Sequence, residues 1–154
     1  LNILIYKESN VTIMQKEVLK ASVSWQKDME YLAKDSVGHE IVFGASKAFG
    51  GSGDYPIPLE GLLSTLGACI AVNSQILLRQ QGKDYTYFDV KIEGTRKEEL
   101  PKIFDKIHAK IKIKGDIEKE TVELVIREVM TKVCPIAVIL GMTCQLTWGY
   151  TMEL

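Results

Sequence analysis

Cysteine is scarce in this chain: three residues in 154, an odd number that argues against the oxidised framework of a secreted disulfide scaffold. Charge of one sign is scarce as well. Nineteen Lys and Arg stand against twenty Asp and Glu, for a net charge of −1. No basic field exists to gather phosphates, so nucleic acid is not an expected partner. The three cysteines, His39 and His108 contain no close Cys-x2-Cys or His-x3-His pairing, and no metal site is expected. There is no G-x-S-x-G elbow, no Gly-Lys-Ser/Thr and no G-x-G-x-x-G, which removes the common hydrolase and nucleotide signatures and any reason to expect a cofactor. The chain opens on Leu1 rather than Met, leaving room for an upstream piece, and shows no basic stretch leading into an apolar one as a secretory leader would. Its most apolar run, Leu62 to Leu78, contains Ser64, Thr65, Asn73, Ser74 and Gln75, and reads as short of the ~20 mostly apolar residues of a membrane span. The expectation is a soluble cytoplasmic protein with no membrane partner.

What the chain does have is apolar content. With 46% apolar and 25% charged residues it can close a core unaided and is not disordered. Residues 3 to 25 read as extended segments, with Val11, Ile13 and the Ala21-Val23-Trp25 run alternating with polar residues. Glu30 to Lys34 and Glu40 to Phe43 follow as short strands around a turn at Ser36-Val37-Gly38, giving an antiparallel meander. Trp25, Trp148 and Tyr150 fall in strands and read as packing residues rather than a ligand cage. Gly44 to Pro58 is loop chemistry, a long connector without the signature of a phosphate cradle.

From Pro58 the pattern is helical to Gln80 or Gln81, stopping at Gly82, with Glu60 complementing the dipole in the first turn. This helix is apolar nearly all round and must be buried on most sides. One short chain can scarcely wrap it, so a second subunit is expected. Phe88, Val90 and Ile92 mark one strand; Ile107, Ala109, Ile111 and Ile113 mark the next, alternating with Lys106, His108, Lys110, Lys112 and Lys114. The lysine row reads as a solvated face that discourages edge pairing. Between these strands, Arg96 to Pro101 is a charged connection. A helix over Glu118 to Lys132, a break at Val133-Cys134, a short helix from Pro135 to Leu140 and a strand from Thr143 to Met152 complete an α+β order.

Cys69 and Cys134 are the candidate reactive residues. Cys69 lies among small residues in the apolar helix. Cys134, just before Pro135, would cap a helix N-terminus, where unpaired N–H groups and the dipole favour a thiolate. Free cysteine is also among the most buried residue types, so both remain readable as apolar lining. Cys144 reads as a core residue.

The stretch Pro58-Leu59-Glu60-Gly61-Leu62-Leu63-Ser64-Thr65-Leu66-Gly67-Ala68-Cys69 resembles the signature helix of the OsmC/Ohr superfamily (osmotically inducible protein C and organic hydroperoxide resistance protein). Val133-Cys134-Pro135-Ile136 is similar to that family's second cysteine motif. Val37-Gly38-His39 and Arg96 to Pro101 with Phe104 resemble its YhfA-like branch. The resemblance spans roughly residues 21 to 152, an OsmC-like domain over 21–154 preceded by an extension over 1–20.

It implies an intertwined homodimer, with antiparallel sheets around long buried central helices and sites at the subunit interface. It also implies a two-cysteine reduction of organic hydroperoxides: Cys69 peroxidatic, Cys134 resolving, and an external dithiol, such as a lipoyl group, as reductant. The apolar helix suits an alkyl or lipid hydroperoxide. Two departures stand out. No arginine precedes Arg79, although the peroxidase branches place one in the N-terminal meander. Their acid directly after the motif proline is Leu59 here, with the acid one place later at Glu60. Nine residues of helix turn Glu60 away from Cys69 and set it ~13 Å along the axis. Glu60 and Arg96 are carried as candidate substrate-binding residues, with Lys27, Lys34 and Lys47 as other cations. A non-enzymatic dimer that binds a small apolar ligand, with the cysteines lining its pocket, is the alternative.

Overall fold

The computed structural model describes residues 18–153, which fall into two compact units, one ending at Gly61 and one beginning at Leu62. The expected strand positions Val11 and Ile13 lie outside the described residues.

In the first unit, β1 (Ala21–Lys27), β2 (Glu30–Asp35) and β3 (Glu40–Phe43) form an antiparallel meander in that order. The β2–β3 turn is built on one side chain. Asp35 Oδ1 accepts the backbone N–H groups of Val37, Gly38 and His39 at 2.9, 2.8 and 3.0 Å, an Asx-type turn in which Gly38 takes a left-handed φ of 100°. Trp25 stands opposite Tyr31 on β2, as cross-strand packing requires, but it is not a core residue. It is 63% exposed, with its indole N–H donating to the Asp28 carbonyl at 2.9 Å. Strand β1 is exposed along its whole length, so among the described residues no layer covers the indole. The Gly44–Pro58 connector holds one short 3-10 turn, Lys47–Phe49.

Helix α1 (Pro58–Gln80) starts in the first unit and runs through the second. Its C-terminus is a Schellman motif: Lys83 N–H donates to the Leu78 carbonyl at 3.0 Å and Gly82 N–H to the Arg79 carbonyl at 3.0 Å. Gly82 supplies the φ of 69° that the motif needs. Only the stripe Leu66, Ile70, Ser74, Leu77 and Leu78 is buried. Leu62, Val72 and Ile76 on other faces are exposed, so burial on most sides is not met within one chain. The membrane reading also needs correction. With 23 residues and a mean hydropathy of 1.6, α1 is long and apolar enough to cross a bilayer by length and composition, because its polar residues are too few to lower the average. The mostly buried core helix of a soluble protein passes the same test; here 28% of the apolar window is buried.

The second unit holds a sheet in the order β4 (Tyr87–Arg96), β5 (Phe104–Lys114), β6 (Gln145–Glu153). Strands β4 and β5 are antiparallel, whereas β6 runs parallel to β5. The parallel return is made through α2 (Lys119–Glu128) and α3 (Pro135–Gly141). On β5 the isoleucines Ile107, Ile111 and Ile113 are buried, as their alternation requires.

The lysine row does face outward, but it guards no edge, because β5 is the central strand. Its charges are met by neighbouring carboxylates instead: Lys110 by Glu93 at 2.7 Å, and Lys112 and Lys114 by Glu153 at 2.5 Å each. Helix α1 lies against β4 at Gly67, where an added Cβ would touch Ile92 Cδ1 at 3.4 Å. The expected helix to Lys132 is α only to Glu128 and continues as a π-turn over Val129–Val133. Pro135 disfavours the α conformation at Cys134, and the Cys134 N–H reaches back five residues to the Val129 carbonyl at 2.9 Å.

Candidate functional site

Cys69 sits at the middle of α1 and is half-buried; Cys134 is fully buried, at 0% exposure. Sixty-five residues apart in sequence, they meet as a disulfide pair with Cα atoms 5.9 Å apart, a normal separation for such a bond. The π-turn delivers Cys134 to this position. Its extended backbone (φ −78°, ψ 108°) makes it the N-cap of α3, with Pro135 in the first turn, and its Sγ accepts the Ala137 N–H at 3.4 Å. The cap expected from the Cys-Pro order is therefore present. A sulfur in this position carries negative charge more easily, because the donor and the helix dipole both point at it.

Asn73, one turn after Cys69, went unnoticed as a site residue. Its Nδ2 donates to the Cys69 carbonyl at 2.8 Å and to Cys69 Sγ at 3.4 Å. The i, i+4 spacing on a helix was the available signal.

Glu60, Arg96, Lys27 and Lys34 have other partners. Glu60 Oε2 accepts the Ile57 N–H at 3.1 Å, closing the N-terminus of α1 nine residues before Cys69. Arg96 is exposed at the end of β4, where its Nε donates to the Lys102 carbonyl at 2.7 Å and ties the β4–β5 connection. Lys27 and Lys34 lie 3.9 and 2.6 Å from Glu30 and Glu40. The structure thus brings together Cys69, Cys134 and Asn73, and gives Glu60 and Arg96 backbone-holding contacts. Cys144 is half-buried rather than fully in the core; its thiol donates to the Leu140 carbonyl at 3.2 Å, and burial pushes its pKa up. Among the described residues no group of three or more His, Cys, Asp or Glu gathers as a metal set.

The first unit carries a further feature. An open cleft of about 590 Å³ is lined almost wholly by apolar groups, among them Val23, Met29, Tyr31, Phe43, Phe49 and Ile57. The long connector supplies part of this wall.

The family model described as OsmC-like protein matches residues 51–148, well over half of the chain and both paired cysteines. The chain belongs to the OsmC-like family. Protein YhfA of Escherichia coli K12 is 28% identical over 134 residues, covering 86% of this OsmC-like chain and 96% of YhfA. The crystal structure of an OsmC-like protein from Mycoplasma pneumoniae is similar with a TM-score of 0.79 at 15% identity, over 91% of this chain and 100% of that one. That of an organic hydroperoxide resistance protein from Elizabethkingia anophelis is similar with a TM-score of 0.71 at 15% identity, over 91% and 99%. At these identities the two structures establish the fold alone. The resemblance to the superfamily and to its YhfA-like branch holds, and so does the α+β, OsmC-like fold.

Proposed function

We propose that this OsmC-like protein reduces organic hydroperoxides by a two-cysteine mechanism, with Cys69 peroxidatic and Cys134 resolving. The observation that carries the reading is the pairing of these two sulfurs across 65 residues, one on a helix face and the other at a helix N-cap. The Cys69 thiolate attacks the terminal oxygen of ROOH. An S–O bond forms, the O–O bond breaks, and RO⁻ takes a proton to leave as the alcohol. Cys134 then attacks the Cys69 sulfenic acid, an S–S bond forms and water leaves. A dithiol, such as a lipoyl group, reopens the disulfide and is itself oxidised to one. The reducing cytoplasm suits that last step. The half-buried Cys69 is the better entry point, since Cys134 has no exposed surface.

The working unit in this proposal is a homodimer, because Leu62, Val72 and Ile76 on α1 are left uncovered by the described elements of the chain. The second reading, a non-enzymatic dimer holding a small apolar ligand, is favoured by the apolar cleft of the first unit and by the lack of any arginine before Arg79.

Mass spectrometry separates the two. Reduced protein given one equivalent of cumene hydroperoxide should lose about 2 Da, the two thiol hydrogens of one new disulfide. The loss should map to a Cys69–Cys134 bridge and disappear in Cys69→Ser. An unchanged mass, with both thiols titratable after denaturation, leaves the binding dimer.

A further inference from the structure

We infer that Asn73 is the hydrogen-bond donor that holds Cys69 in its thiolate form, a catalytic residue of the peroxidase reading above, on which this role rests. The direction of its side-chain amide follows from the contacts. At 2.8 Å from the Cys69 carbonyl, an acceptor, the atom must be the amide nitrogen, since the amide oxygen would be repelled there. An amide nitrogen carries two hydrogens. With one spent on the carbonyl, the second is available to the sulfur 3.4 Å away. The side chain therefore presents a fixed N–H, and no acceptor, to Cys69 Sγ.

A neutral thiol gains little from such a donor, whereas a thiolate gains a charge-assisted bond. The arrangement therefore selects the charged form and lowers its pKa. Asn73 is half-buried, as is Cys69, so water competes only partly for the sulfur. The location also accounts for an otherwise unfavourable choice. Asparagine is a poor interior helix residue, and here it lies two-thirds of the way along a 23-residue helix whose neighbouring residues are mostly apolar. The stabilised species is the one that attacks: the proton lost by Cys69 goes to solvent, and the electron pair left on sulfur makes the S–O bond.

The test is residue-resolved alkylation of the reduced full-length chain by iodoacetamide between pH 5 and 10, with Cys69 followed by peptide mass mapping and the fold checked by circular dichroism. In Asn73→Ala the Cys69 midpoint should rise by about one pH unit, so that alkylation at pH 6 slows about tenfold. Asn73→Asp keeps the size, removes the donor and adds a carboxylate, and should raise the midpoint further. A residue that merely packs would leave Asn73→Ala at the wild-type midpoint, and that outcome overturns the inference. If Asn73→Ala does not fold, Asn73→Leu, close in size and without donor or charge, decides by the same shift. Unshifted midpoints in a protein that still forms the hydroperoxide-driven bridge remove Asn73 and leave the peroxidase reading standing. Shifted midpoints in a protein that hydroperoxide does not oxidise remove the catalytic role together with that reading.

Discussion

The Asp35 side chain holds several backbone groups at once and shows what that does to an ionisable residue. Its carboxylate lies 2.7 Å from the His39 Nδ1 and also takes three backbone N–H groups of the β2–β3 turn. The His39 contact, aided by those N–H groups, lowers its pKa from 3.8 to about 2. A carboxyl whose folded pKa lies below its unfolded value stabilises the fold fully above about pH 4, and that contribution is lost as pH falls through about 2. A carboxyl-carbon NMR titration should place the Asp35 midpoint near 2, with the Gly38 amide shifting in step; a midpoint at the free value of 3.8 would show that the turn is not held this way. The turn was readable from Ser36-Val37-Gly38, although nothing in that reading marked Asp35 as the side chain that holds it. Cys134 was legible for a similar reason, since a residue before proline at a helix start has few conformations open to it. Asn73 was legible only as one of two polar residues four places from Cys69, Thr65 being the other, and the spacing does not say which of them turns toward the sulfur. The exposure of Trp25 was hidden too, as alternation shows that a strand has two faces and is silent on whether anything covers them.

At the level of elements, the parts with punctuation at both ends were the readable ones. Proline at the start and glycine after the end bracket α1, and its bounds in the structure are those the residues imply. The π-turn and the parallel placement of β6 have no such marks. A π-turn costs one residue in a helical pattern that still looks periodic, and alternation in β5 is the same whether its neighbours run with it or against it. The lysine row was misread as an edge guard for that reason. Packing between elements makes a sharper claim at Gly94 of β4. A Cβ there would lie 2.5 Å from Phe104 Cε1 and 3.3 Å from Leu63 Cδ1, so the first residue of β5 and the side of α1 both close on the same hydrogen atom. Phe104 is buried, so the ring can move aside only by displacing its neighbours. Gly94→Ala should therefore destabilise the fold by about 1–3 kcal/mol, read as a lower urea midpoint with an unchanged slope. A midpoint equal to wild type would mean that the ring moves aside freely.

At the scale of the whole molecule the question is what covers the surfaces that one chain leaves bare. Val72 is 57% exposed and Ile76 45% exposed in the single chain, one turn apart on α1, with Leu62 further along. Charged substitutions there act differently on a monomer and on a dimer. In a monomer a glutamate at either position would remain in water and shift stability by no more than about 0.5 kcal/mol. In a homodimer that closes over α1 it would bury an unpaired carboxylate, a change large enough to break the association. Sedimentation should find the reduced wild-type chain as a dimer at micromolar concentration, and the double variant Val72→Glu/Ile76→Glu as a monomer with its helical circular dichroism retained. Two results would tell against the proposed dimer. One is a wild-type chain that stays monomeric as its concentration is raised. The other is a double variant that remains dimeric, which would place the contact on a surface other than this face of α1.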